Sequence, residues 1–170
     1  MKKTLWITRT AALTALLVLL QTLTKAGGQL LTGSCVNAVL AIAVLFSGLW
    51  SGVTVALVSP FLAFLLGIGP QLIVIVPAIA VGNVVYVLVL YVLFGKQIWR
   101  QGSSLLLAAG GKFLILYLLV VQFLCRVLPL AEKQVATFTA MFSWPQLITA
   151  LIGGGIALLI VPILRKAFRR

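Results

Sequence analysis

Six apolar runs, at 5–24, 34–46, 53–66, 72–94, 105–124 and 145–164, occupy most of this chain and decide what it can fold into. The longer ones match the ~20 residues that an α-helix needs to cross a bilayer; the second and third are shorter. None shows the two-residue alternation of a barrel strand. In hydrocarbon each backbone N–H and C=O must be satisfied within its own segment, so continuous apolar runs fold as helices. Composition agrees, with 63% of the residues apolar and 8% charged, where ordinary globular domains have roughly 45–50% and 25%. The expected fold is an all-α integral membrane protein, a six-transmembrane-helix bundle forming a single domain over 1–170.

The breaks between runs are the polar stretch 25–33, a tight turn over 47–52 with an interfacial Trp50, Gly67-Ile68-Gly69-Pro70, a loop at 96–102, and a longer polar connection at 126–142 that carries Glu132. Pro77 and Gly82 in the fourth run are tolerable where neighbouring helices take up the freed backbone groups. Lys2, Lys3, Arg9, Lys96, Arg100, Arg165, Lys166, Arg169 and Arg170 fall on one side, against Lys25, Arg126 and Lys133 on the other. The positive-inside rule then makes both termini cytoplasmic. The net charge of +12 follows from this bias and from adhesion to anionic headgroups. The basic residues flank spans and are not interleaved with stacking aromatics, so no nucleic-acid partner is expected. The first run has the basic start and apolar heart of a secretory signal, but no A-x-A site follows it and its removal would leave an odd number of spans, so it is read as a helix. Cys35 and Cys125 both fall near outer helix ends; a bridge is open to them, and two lone thiols packed as small hydrophobes is the plainer account.

Absent residues are equally informative. The chain has one acidic residue and no histidine. Hydrolytic membrane enzymes need a general acid or base, usually His, Asp or Glu, and metal enzymes need clustered ligands. A proton-coupled carrier needs an intramembrane Asp, Glu or His relay. The chain is therefore expected not to be an enzyme, to hold no metal or cofactor, and to bind something while its energy comes from elsewhere.

Lys112 is the charge that lies deep inside an apolar run. An ammonium at that depth is costly unless it faces a protein interior or a watery cavity with a partner in it. Backbone carbonyls, side-chain amides or an anionic ligand could serve, and the reading taken here is the ligand, helped by amides. Gln21, Asn37, Trp144, Gln146 and Thr149 sit toward the outer ends of their helices, and Asn83 lies midway along the fourth. The inner half is nearly pure hydrocarbon. That asymmetry describes a cup that opens outward over a sealed floor, since a continuous pore would be polar at both ends. The plainer role for Asn or Gln is interhelical glue. Gly110 and Gly111 suit close packing or ligand approach, and Gly153, Gly154 and Gly155 suit packing.

On the first helix Ala11 and Ala15 form A-x-x-x-A, with Ala12 beside them, a flat face that another helix can approach closely. With this element, the six helices, and the stretches Thr32-Gly33-Ser34-Cys35-Val36-Asn37 and Leu45-Phe46-Ser47-Gly48-Leu49-Trp50-Ser51-Gly52, the chain resembles the substrate-binding S components of energy-coupling factor (ECF) transporters, vitamin-uptake relatives of ABC importers. The resemblance implies a subunit of a prokaryotic plasma membrane that captures a micronutrient from outside, under a lid formed by 25–33. It also implies docking through Ala11, Ala12 and Ala15 onto a membrane coupling (T) subunit driven by two ATPase subunits. ATP belongs to those partners, since no GxxxxGK[ST] cradle is present. The corresponding ligand contacts are Lys112, Asn83, Gln146, Thr149, Asn37 and Gln29, with Trp144 or Tyr86 stacking on a ring. An anionic vitamin such as pantothenate, nicotinate, biotin or lipoate fits this set better than cationic thiamine. The alternatives are a membrane scaffold or assembly protein, in which Lys112 contacts only its own bundle, and a small oligomeric channel.

Overall fold

The computed structural model describes residues 3–168; Lys2, Arg169 and Arg170, counted above toward orientation, lie outside them. Helix α1 (Lys3–Thr24) passes through a 3-10 turn (Lys25–Gly27) into α2 (Gly28–Ile42), which widens into a π-helical end (Ala43–Ser47). Helices α3 (Leu49–Leu65) and α4 (Val76–Leu93) follow, the latter entered through a 3-10 turn (Ile73–Ile75). Helix α5 (Ile98–Leu116) continues as a π-helical stretch (Tyr117–Leu124) and one last turn, α6 (Cys125–Val127). Helices α7 (Glu132–Met141) and α8 (Trp144–Ala167) complete the chain, and no strand occurs among the described residues.

Several expected loops turn out to be helical. The proposed lid 25–33 is a turn followed by the start of α2, and most of the 126–142 connection is α7, with Glu132 its first residue. Two glycines make this economy feasible. Gly28 and Gly48 have φ of 79° and 95°, a region that suits a residue without Cβ, so one residue redirects the chain where a loop was expected. The turn expected over 47–52 therefore reduces to Gly48.

Four stretches are long and apolar enough to cross a membrane: Thr4–Ser47, Ile73–Leu93, Ile98–Val127 and Glu132–Ala167. The sequence reading expects six. The difference arises because the first two expected spans join into one helical run, and the third, Leu49–Leu65, is a shorter apolar helix. The first of these stretches doubles back on itself. The Arg9 guanidinium, early in α1, lies 4.7 Å from the ring centroid of Phe46 at the end of α2.

Helix α2 is the centre of the bundle and packs most extensively on α8, while α4 packs on α3 and α5. A Cβ at Gly153 would collide with the Ser34 carbonyl oxygen and approach the Ala38 nitrogen to 2.6 Å. One at Gly154 would strike Leu105 and the Tyr86 hydroxyl. Gly153 permits the close α2–α8 contact and Gly154 the approach of α8 to α4 and α5; Gly155 faces open space. The main apolar cluster takes Val39 to Leu45 from α2, Val55 and Ala56 from α3, Val87 and Leu90 from α4, Ala108 from α5, and Ala157 and Val161 from α8. Large apolar side chains stand exposed around the outside, among them Leu159, Val92 and Ile163 at 73%, 72% and 67%. Apolar exposure on that scale fits contact with lipid tails and would be a liability in water.

Candidate functional site

Lys112 is 3% exposed. Its Nζ donates to Asn37 Oδ1 at 2.6 Å and to Asn83 Oδ1 at 2.7 Å, so α5, α2 and α4 meet at one ammonium. Asn37 is itself held, donating through Nδ2 to the Gly33 carbonyl at 2.9 Å and to Thr149 Oγ1 at 3.3 Å. Thr149 on α8 donates to the Gln146 carbonyl at 3.2 Å. The sequence reading set Asn37 and Thr149 toward outer helix ends and Asn83 and Lys112 near mid-span, whereas the hydrogen bonds bring all four into one layer. Two of the three ammonium N–H groups are satisfied by amides. The sequence reading gave the larger share to an external anion; within the protein, amides supply two partners and leave one donor.

That donor has somewhere to point. Lys112, Asn37 and Asn83 line a cavity of about 230 Å³, closed mainly by apolar side chains such as Val36, Pro60, Phe64, Ile79 and Phe142. Gln29 and Gln146 line it as well, and both donate through Nε2 to the Met141 carbonyl, at 2.5 and 3.1 Å. Those two bonds tie α2 and α8 to the end of α7, which forms part of the cover. Lys25 also lies on the lining and adds a second cation there.

Two further lining residues are the least expected. Gln21 and Ser59 are 6% and 1% exposed. Gln21 Oε1 and Ser59 Oγ are buried without a hydrogen-bond partner, although both residues border the cavity. A stranded buried polar atom costs about 1–3 kcal/mol, so an arrangement of this kind is maintained where something else supplies the partner. Sequence reading placed Gln21 among the outer polar residues and passed over Ser59. A serine in an apolar helix ordinarily bonds back to its own i−4 carbonyl, and nothing in a sequence shows that this one does not.

Other expected residues lie elsewhere. Trp144 is 67% exposed and stacks on Phe113 with centroids 5.7 Å apart, off the cavity lining. Tyr86 is fully buried behind the site, where its hydroxyl donates to the Ala150 carbonyl at 3.0 Å. Its ring lies 5.7 Å from Lys112 Nζ, close enough for a cation–π contact. Thr149 positions Asn37 and does not line the cavity. Ala11 and Ala15 line a separate, largely apolar groove of about 790 Å³ between α1 and α3, and Ala12 is exposed beside it. Cys35 and Cys125 are free, half-buried thiols. Among the described residues no group of His, Cys, Asp or Glu is arranged to hold a metal ion.

The site is thus a partly open, mostly apolar chamber with one buried ammonium, fixed amides and two unmet polar atoms, suited to binding and without an acid–base pair for catalysis. No curated protein and no solved structure matches the sequence. The family described as ECF transporter, substrate-specific component, matches residues 6–165, nearly the whole chain. The chain belongs to that family of ECF transporter substrate-specific components.

Proposed function

We propose that this protein captures a small, mainly apolar molecule that carries an anionic or strongly accepting group, and that it does so in the Lys112 cavity from the outer face of a prokaryotic cell membrane. Members of the family are substrate-binding transport subunits, not enzymes, and they work with the T and ATPase modules of ECF transporters. The observation that carries the reading is the buried ammonium, with one N–H beyond its two amide partners, on the lining of a cavity that the unpartnered Gln21 and Ser59 also border.

In this reading the substrate's accepting group meets Lys112, its N–H or O–H groups meet Gln21 and Ser59, and its apolar body fills the space against Phe64, Ile79 and Phe142. Asn37, Asn83 and Gln146 orient the polar atoms, and Gln29 with Gln146 fastens the cover through Met141. The helices cross the membrane six times with both termini in the cytoplasm, which puts Arg9, Lys96, Arg100, Arg165 and Lys166 inside and Lys25, Arg126 and Lys133 outside. The groove along Ala11 and Ala15 receives the coupling subunit, and two ATPase subunits supply the energy. A micronutrient of the vitamin type fits the chamber's size and polarity.

The test begins with the small molecule that co-purifies with the protein, released by denaturation and identified by mass spectrometry. Proteoliposomes that contain the protein and its coupling module should accumulate that molecule only when ATP is supplied. Accumulation independent of ATP would favour a channel, and the absence of any bound molecule would favour a scaffold.

A further inference from the structure

Both side chains that bond to Lys112 are neutral amides, so its charge is hydrogen-bonded but not balanced. An ammonium only donates, and each asparagine must therefore turn its oxygen toward it, which fixes where each amide nitrogen lies. Asn37 has its Nδ2 committed to the Gly33 carbonyl and to Thr149 Oγ1. The amide of Asn83 is placed differently. Its Oδ1 lies 2.7 Å from Lys112 Nζ, the residue is 2% exposed, and its Nδ2 donates to no described residue. Oδ1 and Nδ2 belong to one planar amide, so an uncommitted N–H donor is held beside the ammonium on a residue that lines the cavity. The buried end of the cavity thus carries two neighbouring donors, the remaining N–H of Lys112 and the Nδ2 of Asn83.

Charge narrows what can meet that pair. Among the described residues no Asp or Glu lines the cavity, and Glu132, the chain's single acidic side chain, opens α7 off the lining. A buried ion without a counter-charge is strongly unfavourable, so a neutral carbonyl would satisfy the hydrogen bonds and leave the charge standing. A dianion overshoots, because the other cation on the lining, Lys25, belongs to the open end marked by the exposed Gly28 and Gly69. One negative charge shared by two coplanar oxygens matches both the charge and the donor pair.

We propose that the substrate of this cavity is a carboxylic acid bound as its monoanion, carboxylate innermost, with one oxygen on Lys112 Nζ and the other on Asn83 Nδ2. This assignment rests on the reading of the cavity as a substrate site. Asn83 then has two duties, since its oxygen holds the ammonium and its nitrogen recognises the acid. The rest of the molecule fills the cavity toward its open end, and the unpartnered oxygens of Gln21 and Ser59 take its N–H or O–H groups.

The test uses the full-length protein, the compound released from it by denaturation, and the methyl ester of that compound. Tandem mass spectrometry of the released compound should show one free carboxyl group. In calorimetric titrations of the stripped protein the ester should bind at least ~10-fold more weakly than the acid, on the scale of one charge-assisted hydrogen bond. Asn83→Asp keeps an oxygen for the ammonium but exchanges the donor for a negative charge. It should weaken the acid at least ~10-fold and erase its preference over the ester, with an unchanged profile in size-exclusion chromatography. A folded Asn83→Asp that keeps the preference would overturn the proposal, as would an ester that binds wild type as tightly as the acid. If Asn83→Asp does not fold, the acid–ester comparison on wild type decides alone. A released compound that is neutral, or that carries a phosphate and no carboxyl group, would overturn this proposal while leaving the substrate site standing. The absence of any compound would overturn both.

Discussion

The layer around Lys112 and the packed half beneath it share four helices, α2, α4, α5 and α8, yet they treat polarity in opposite ways. Beneath the layer, Val39 to Leu45, Val87, Leu90, Ala108, Ala157 and Val161 close into a buried apolar cluster. Within the layer, Asn37, Asn83, Lys112 and Thr149 are all nearly fully buried, and the first three open on a cavity that also touches two unmet oxygens. One half is organised for packing density, the other around a polar inventory that its own chain does not complete. The contrast teaches that the floor supplies stability while the layer gives up some of it for recognition.

The sharpest way to break the comparison is Lys112→Met, which keeps the unbranched stem of the side chain and removes its charged end. Losing a charge-assisted hydrogen bond of about 1.5–3 kcal/mol should weaken substrate binding by about 10- to 10²-fold. Calorimetric titration with the co-purified molecule would measure this, and size-exclusion chromatography should show an unchanged fold. Ala15→Trp should block assembly with the coupling module in a pull-down while titration shows the same affinity for substrate, because the groove it lines shares no residue with the cavity lining. Gly153→Ala addresses the packed contact. Its new methyl meets α2 backbone, so overpacking should cost about 1–3 kcal/mol and lower Tm in a thermal melt.

Ser59→Ala is subtler and more diagnostic. Removing a stranded hydroxyl should raise the Tm of the empty protein slightly, while the lost bond weakens substrate by about 2–10-fold. A purely structural serine would not move the two quantities in opposite directions. Trp144→Ala should change affinity least, within about 2-fold on the scale of a residue outside the site, since its indole stacks on Phe113 away from the cavity.

The helical membrane class was readable because apolar runs without a polar face leave few folds open. Lys112 was readable as the centre for a related reason, since a charge at that depth demands a partner. Asn37 and Asn83 were readable as candidate site residues, but their direct grip on the ammonium depends on helix rotation, and runs apolar on every side give little periodicity from which to read rotation. The helical start of α2 stayed hidden because Gly27-Gly28 reads as loop, whereas here a single positive φ serves to restart a helix. Trp144 looked like a ligand platform because an aromatic at a span's outer end fits both a cavity and a membrane interface. Gln21 and Ser59 gave the weakest signal, since what distinguishes them is a missing bond.

The central claim is that the Lys112 ammonium holds a molecule from outside the chain. Native mass spectrometry of the wild-type protein and Lys112→Met, purified side by side, tests it most directly. The account predicts a small-molecule adduct on the wild type that is absent from the variant, with both chains folded. An identical adduct on both, or none on the wild type, would contradict it.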